Sequence, residues 1–135
     1  PVTMHHGNGT LAYSRIAYSH DMVTLYSAAD VVVCRAGAST IAEVSTVGVC
    51  AVVVPWKDAA ENHQLVNAQW LTNRGGAVLL EENALTAHEF SQLVTELLRD
   101  DDRRSAIASR ARELGAVHRQ SSIASVIEGA AKAKV

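Results

Sequence analysis

Aromatic side chains are scarce in this chain: among 135 residues there are one Phe, three Tyr and two Trp. Since 48% of the residues are hydrophobic, a core can still form, but it must be aliphatic, built from Val, Ala, Leu and Ile. The length corresponds to about one domain. An excess of one charge sign is also missing. Twelve basic residues face fourteen acidic ones, so no strong field draws the chain to nucleic acid, and no nucleic-acid partner is expected. Arg99, Arg103, Arg104, Arg110, Arg112 and Arg119 cluster, but Glu96, Asp100, Asp101, Asp102 and Glu113 sit among them. That mixture reads as a solvated helical face.

Other absences narrow the class further. No apolar run reaches transmembrane length, and there is no signal peptide. Repeats, low-complexity segments and internal linkers are missing. The two cysteines, Cys34 and Cys50, each lie in an apolar run and form no C-x-x-C pattern. They read as buried thiols, which suits a reducing, cytoplasmic compartment. His5 and His6 have no further ligands nearby, so no metal site is expected, and no cofactor. The start Pro1-Val2-Thr3, without an initiator Met, suggests a processed or excised segment.

What is present is an alternation of strands and helices. Arg15–Tyr18 is a short strand candidate. A helix is expected over Asp21–Ala28, with Met22, Leu25 and Tyr26 at helical spacing. Val31–Cys34 is a continuous apolar run, as in a parallel strand buried on both faces. A helix follows from about Ser39 to Val47, closed by Gly48. Ala51–Val54 is the next buried strand, ended by Pro55. A loop leads to a helix over Asn62–Asn73, and Val78–Leu80 is a further strand. After Glu82 the pattern becomes helical: Thr86–Arg99 with a capping box from Thr86 to Glu89, then Arg103–Leu114 and Ser121–Lys132, with fraying at the end. Phe90, Leu93, Val94, Leu97 and Leu98 share a face of the first of these. The order predicts an α/β fold with a small parallel sheet and helices on both faces. Residues 1–135 are expected to form a single, incomplete domain, with 86–135 as its C-terminal helices.

Three groups of residues can carry chemistry. The turn Cys34-Arg35-Ala36-Gly37-Ala38-Ser39-Thr40 leaves a strand and enters a helix. Open α/β sheets bind ligands beyond the carboxyl ends of their strands, and a helix N-terminus suits phosphate. Ser39 and Thr40 add hydroxyl donors. Thr40 and Glu43 equally fit a capping box that needs no ligand. A carboxylate at Glu43 could instead accept hydrogen bonds from vicinal ribose hydroxyls. The third group is Asn62-His63-Gln64 with Asn67. Amides both donate and accept, which matches sugar hydroxyls, and Gln64 and Asn67 share a helix face. The alternative is a cap by Asn62 with solvated residues behind it.

The segment Ala29–Glu43 closely resembles the corresponding segment of MurG-type UDP-N-acetylglucosamine transferases of peptidoglycan synthesis. Val54-Pro55, the stretch Glu61–Ala68 and Gly75-Gly76-Ala77 continue the resemblance at the right spacing, and it covers about Tyr18 to Leu114. The resemblance implies the C-terminal, Rossmann-like half of a two-domain GT-B glycosyltransferase, which binds UDP-GlcNAc. By position, Ala38, Ser39 and Thr40 line the diphosphate and sugar, and Glu43 holds the ribose. Gln64 and Asn67, with His63, read the GlcNAc hydroxyls. Tyr18, Ser19 and Met22 match the segment that packs on and hydrogen-bonds the uracil. Arg35 fits the motif, and it equally fits a structural ion pair. Cys50 stands where proline is common, and Ser19 where an apolar residue occurs.

The same resemblance implies a reaction. GlcNAc passes with inversion from UDP to the muramic acid of lipid I, without a metal. The acceptor site, the catalytic base and the membrane-contacting surface belong to an N-terminal domain outside this chain. The whole enzyme would then sit on the inner face of the plasma membrane, and this chain alone is expected to be inactive. A stand-alone sugar-nucleotide-binding subunit with a membrane partner is the competing expectation. A truncated piece with a self-associating sheet edge is a third.

Overall fold

The computed structural model describes residues 2–6, 9–59, 62–84, 86–120 and 128–132. It begins with an antiparallel hairpin of β1 (Val2–His6) and β2 (Gly9–Tyr13), in which His6 pairs with Gly9. The sequence reading missed this hairpin. Its signal was the dipeptide Gly7-Asn8 between two short runs. The strand expected at Arg15–Tyr18 is not formed; this stretch carries no regular structure and is exposed. With Ser14, Ser19 and His20 around it, only Ile16 and Ala17 are reliably apolar, too little to bury a strand.

The rest follows the expected alternation. α1 (Met22–Ala28) starts where the Asp21 carboxylate accepts from the Thr24 N–H at 3.0 Å. β3 (Val32–Cys34), β4 (Ala51–Val53) and β5 (Val78–Leu79) form a parallel sheet in the order β3-β4-β5. α2 (Ala38–Val47) connects the first pair of strands, and α3 (His63–Thr72) the second. A 3-10 turn at Glu82–Ala84 precedes α4 (Ala87–Arg99), α5 (Asp101–Leu114) and α6 (Ala116–Arg119). The helix expected over Ser121–Lys132 falls largely outside the described residues, and 128–132 are helical.

Strand alternation divides the core in two. Ala51 and Val53 point to one face, where Ile41 and Val44 of α2, Ala68 and Leu71 of α3 and Ala111 of α5 pack on them. Cys50, Val52 and Val54 point to the other, under Leu93 and Leu97 of α4 and Ile107 of α5. The central strand is therefore buried throughout. β3 departs from expectation. It is an edge strand, and Val33 keeps 44% of its surface exposed. Leu98 also departs: it is half exposed, so the buried face of α4 ends at Leu97.

The arginine cluster is more than a solvated face. Arg110–Glu113 is a surface pair, as expected, whereas Arg104 pairs with Asp101 from a largely buried position and also donates to the Leu97 and Leu98 carbonyls at the end of α4. Arg112 and Arg119, however, donate to the Val47 and Thr46 carbonyls at 2.9 and 3.0 Å. These are the otherwise unpaired carbonyls at the C-terminus of α2, where a cation is favoured. Gly115, between α5 and α6, lets the chain approach α2 closely. A Cβ there would run into the Ser45 carbonyl, so no side chain fits. Together these contacts fix α6 against α2.

Candidate functional site

α2 leaves the carboxyl end of β3 without a side-chain cap. Its N-cap residue is Gly37, and the first intrahelical bond runs from the Ile41 N–H to the Gly37 carbonyl at 2.9 Å. The N–H groups at Ala38 to Thr40 thus lack intrahelical partners. Ala38 and Ser39 are exposed, and neither the Ser39 nor the Thr40 hydroxyl bonds to another described residue. The capping box expected from Thr40 to Glu43 does not exist, because the helix starts three residues before the box would need it to. Gly37 itself has ordinary backbone angles (φ −61°, ψ 147°), and a Cβ on it would meet nothing nearer than the Thr40 hydroxyl at 3.8 Å. Nothing within the fold requires a glycine at this position. Its lack of a side chain leaves the helix N-terminus open.

Glu43 lies in the second turn of α2 and is exposed. One carboxylate oxygen accepts from the Tyr26 hydroxyl at 3.3 Å. Tyr26 is buried on α1. Its own ionisation is pushed up, first by burial and then by the Glu43 charge. A cavity of ≈530 Å³ opens beside this pair, lined among others by Tyr18, Ser19, Met22, Tyr26, Glu43 and His118. Its size is that of a small-molecule site. It gathers four of the ten residues singled out in the sequence. The Tyr18 ring stands edge-on to His20, with centroids 4.8 Å apart. The Ser19 hydroxyl accepts from the Asp21 N–H at 3.1 Å, so it helps build the start of α1.

A second hollow, of ≈240 Å³, is lined by Ala38, Ile41, Asn67, Trp70 and His118. His118 borders both hollows, with its ring tilted against Trp70 at 5.6 Å. Sequence reasoning missed Tyr26 and His118. Tyr26 was legible only as a core residue, and no local pattern signals His118, which reaches the site through the fold of α6 on α2.

The amides of α3 each use one atom on the backbone of the fold. The Gln64 side-chain oxygen accepts from two backbone N–H groups, Ala36 at 3.3 Å and Trp56 at 3.0 Å. The Asn67 Nδ2 donates to the Ala36 carbonyl at 3.1 Å. Together they clamp the turn after β3 and tie it to the loop after β4. The Gln64 Nε2 and the Asn67 Oδ1 remain without a bond to other described residues. His63 opens α3, is exposed and lines neither hollow. Asn62 does not cap α3 with its side chain. Its backbone is left-handed, at φ 53°.

Arg35 is the structural ion pair. Its guanidinium donates to a Glu82 oxygen at 2.8 Å and reaches the Val54 and Pro55 carbonyls. The other Glu82 oxygen accepts from the Lys57 N–H at 3.1 Å. The Arg35 hydrogen bond, followed by that of Lys57, holds the Glu82 carboxyl below the usual carboxylate range. Both thiols are free, and burial pushes Cys34 up to about 11. A further cavity of ≈370 Å³ lies at the opposite end of the sheet, by Asp30, Gly48 and Arg104. That is the amino end of the strands, away from the face where open α/β sheets bind ligands. Among the described residues no group of acidic, His or Cys side chains is arranged to hold a metal ion.

The glycosyltransferase family 28 C-terminal domain matches residues 1–127. A relative in Nitratidesulfovibrio vulgaris, named UDP-N-acetylglucosamine–N-acetylmuramyl-(pentapeptide) pyrophosphoryl-undecaprenol N-acetylglucosamine transferase, is 39% identical over 124 residues, which are 92% of this chain and 32% of the relative. A relative of the same name in Xanthomonas campestris pv. campestris is 44% identical over 107 residues, 79% of this chain and 25% of its own length. The crystal structure of Acinetobacter baumannii MurG superposes with a TM-score of 0.67 at 38% identity, covering 73% of this chain and 28% of that one. The chain thus spans between a quarter and a third of the length of these relatives.

Proposed function

The chain belongs to the glycosyltransferase family 28 C-terminal domain family, and we propose that it is the donor-binding part of a UDP-GlcNAc-dependent transferase. The observation that carries this reading is the cavity on the flank of α2, where Glu43, Tyr18, Ser19 and Met22 come together about one helical turn from the uncapped N-terminus of that helix. Uracil packs between Tyr18, Ser19 and Met22. The ribose hydroxyls donate to the Glu43 carboxylate. The diphosphate rests on the N–H groups of Ala38, Ser39 and Thr40, with the two hydroxyls beside them. The sugar meets the Gln64 Nε2 and the Asn67 Oδ1, with His63 at the rim.

The names of the relatives support a reaction for the whole protein: transfer of GlcNAc to lipid I, the undecaprenyl-pyrophosphoryl N-acetylmuramyl-pentapeptide. As the sugar–phosphate bond breaks, negative charge grows on the departing UDP. The fixed dipoles at the start of α2 meet that charge without reorganising. The acceptor, the catalytic base and the contact with the cytoplasmic membrane face belong to the part of the protein outside this chain. Among the described residues no helix is long and apolar enough to cross a membrane. This chain is one incomplete C-terminal unit, which binds donor but transfers nothing alone.

Calorimetric titration of the chain with UDP-GlcNAc tests the reading. Saturable binding is expected, and Glu43→Ala should weaken UDP and UDP-GlcNAc alike by roughly tenfold, the loss of hydrogen bonds to a charged acceptor. An absence of binding heat at millimolar ligand would sink the reading.

A further inference from the structure

We infer, building on the donor-site reading, that His118 is a nucleotide-contacting residue whose imidazole stands between the ribose and the phosphates and donates to the α-phosphate of UDP. His118 is the one residue shared by the hollow of ≈530 Å³ that holds Glu43 and the hollow of ≈240 Å³ that holds Ala38. A nucleotide with its ribose on Glu43 and its diphosphate at Ala38 to Thr40 runs past this side chain.

The charge of the lining calls for such a group. UDP is an anion, and the larger hollow already carries two carboxylates, Asp21 and Glu43. Among the described residues that line either hollow there is no Lys or Arg. The arginines flanking α6 are occupied elsewhere: Arg119 donates to the Thr46 and Arg112 carbonyls, and Arg112 to the Val47 carbonyl. The N–H groups at the start of α2 supply only partial charge. An imidazole offers one N–H donor when neutral, and two with a full positive charge when protonated. Two histidines border the larger hollow, His20 and His118. His20 stands against the Tyr18 ring at the start of α1 and does not reach the hollow of Ala38. His118 does.

The fold holds this ring in place from both sides. α6 is tied to the end of α2 by the Arg112 and Arg119 hydrogen bonds and by the close approach of Gly115 to Ser45. The ring itself is tilted against Trp70, with centroids 5.6 Å apart. Trp70 in turn packs against the main core cluster and lies under the Arg74 guanidinium at 5.9 Å. On α2 the residues beside His118 are small: Ala38, Ala42 and Thr46 are spaced by four and share one face of the helix. Neither ring nitrogen is bonded to another described residue. An exposed imidazole is thus positioned by its backbone and by one ring face, with its polar atoms left for something else.

A histidine against a tryptophan also makes a plain packing contact. Packing uses the ring faces and is indifferent to the nitrogens, whereas a phosphate contact needs an N–H. The two roles therefore separate when the nitrogens are removed and the ring is kept.

Calorimetric titration of the full chain with UDP, in the parent, His118→Phe and His118→Gln, makes that separation. His118→Phe keeps an aromatic ring against Trp70, so its melting temperature should stay near that of the parent. Its UDP affinity should fall about tenfold, the loss of one hydrogen bond to a charged group. His118→Gln returns a donor and should recover most of that loss. Phosphorus NMR locates the contact: the α-phosphorus resonance of bound UDP should differ between the parent and His118→Phe. In the parent, the His118 ring protons should shift as UDP is added, which needs no substitution. Undiminished UDP affinity in His118→Phe, or ring protons indifferent to saturating UDP, overturns the role of His118 and leaves the donor site standing. A parent chain that binds no UDP removes the donor site itself, and His118 falls with it.

Discussion

The Tyr26 hydroxyl donates to the Glu43 carboxylate at 3.3 Å, from a ring buried on α1 to a carboxylate exposed on α2. The contact aims Glu43 along the wall of the ≈530 Å³ cavity and leaves its second oxygen open. A buried phenol can hold an exposed carboxylate because the ring is locked by packing, so only the carboxylate loses freedom. Tyr26→Phe keeps the ring and removes the donor. Stability should change by less than about 1.5 kcal/mol, the range of a single hydrogen bond. Nucleotide affinity should fall about threefold, equally for UDP and UDP-GlcNAc. Calorimetry on both ligands reads this directly. Unchanged affinity would mean that Glu43 needs no orientation.

Gln64 is both a clamp and a candidate sugar reader, and the two roles use different atoms. Its oxygen holds Ala36 and Trp56, while its nitrogen is free of other described residues. Truncation to Ala would confuse the roles. Gln64→Glu keeps an acceptor for both backbone groups and replaces the donor with an oxygen. Thermal stability should stay near that of the parent. UDP-GlcNAc binding should drop by on the order of tenfold, and UDP binding far less. Equal losses for the two ligands would refute sugar reading by this side chain.

Gly37 offers a comparably clean test of the phosphate turn. A Cβ fits there, with only the Thr40 hydroxyl at 3.8 Å. At φ −61° an alanine is unstrained and restricts the unfolded chain. Gly37→Ala should therefore leave the melting temperature level or slightly raised, with a stability change within about 1 kcal/mol. A methyl group on the open helix N-terminus should still cost nucleotide affinity. Full retention of UDP binding by Gly37→Ala would argue that the diphosphate rests elsewhere.

The Arg35–Glu82 pair makes a prediction about acid. The Glu82 carboxyl is held below its ordinary range, chiefly by the Arg35 hydrogen bond. A carboxyl depressed in the folded state binds fewer protons there than in the unfolded chain. Its stabilising effect is present above the unfolded value and is lost as pH falls through the folded one. Glu82→Gln should thus be less stable than the parent at neutral pH, and the gap should close on acidification below the carboxylate range. Urea denaturation across that window measures it. A gap that stays constant with pH would remove the charge from the explanation.

Some of this architecture was legible from local pattern. α2 and its Gly48 cap, the buried β4 and the Thr86–Glu89 capping box each depend on a few consecutive residues whose chemistry dictates the backbone. The same holds for the parallel order, because strands separated by helices are forced into crossovers. The fate of Val33 was not legible, since an apolar run reads alike at an edge and at a centre. Nor was the role of Arg112 and Arg119, whose partners at the end of α2 are 65 and 73 residues away in sequence.

The candidate site divides along the same line. The sequence by itself determined that a glycine-bearing turn enters a helix after a strand, with Glu43 behind it and Gln64 and Asn67 on the next helix. Those are short-range facts of spacing. Only the tertiary structure decided that Thr40 and Glu43 do not cap each other, that Tyr26 aims Glu43, and that Gln64 and Asn67 spend half of each amide on Ala36. It also decided that His118 joins the two hollows. Each is a contact between elements far apart in the chain. Such contacts depend on how the helices pack on the sheet, and no local pattern of residues encodes that packing.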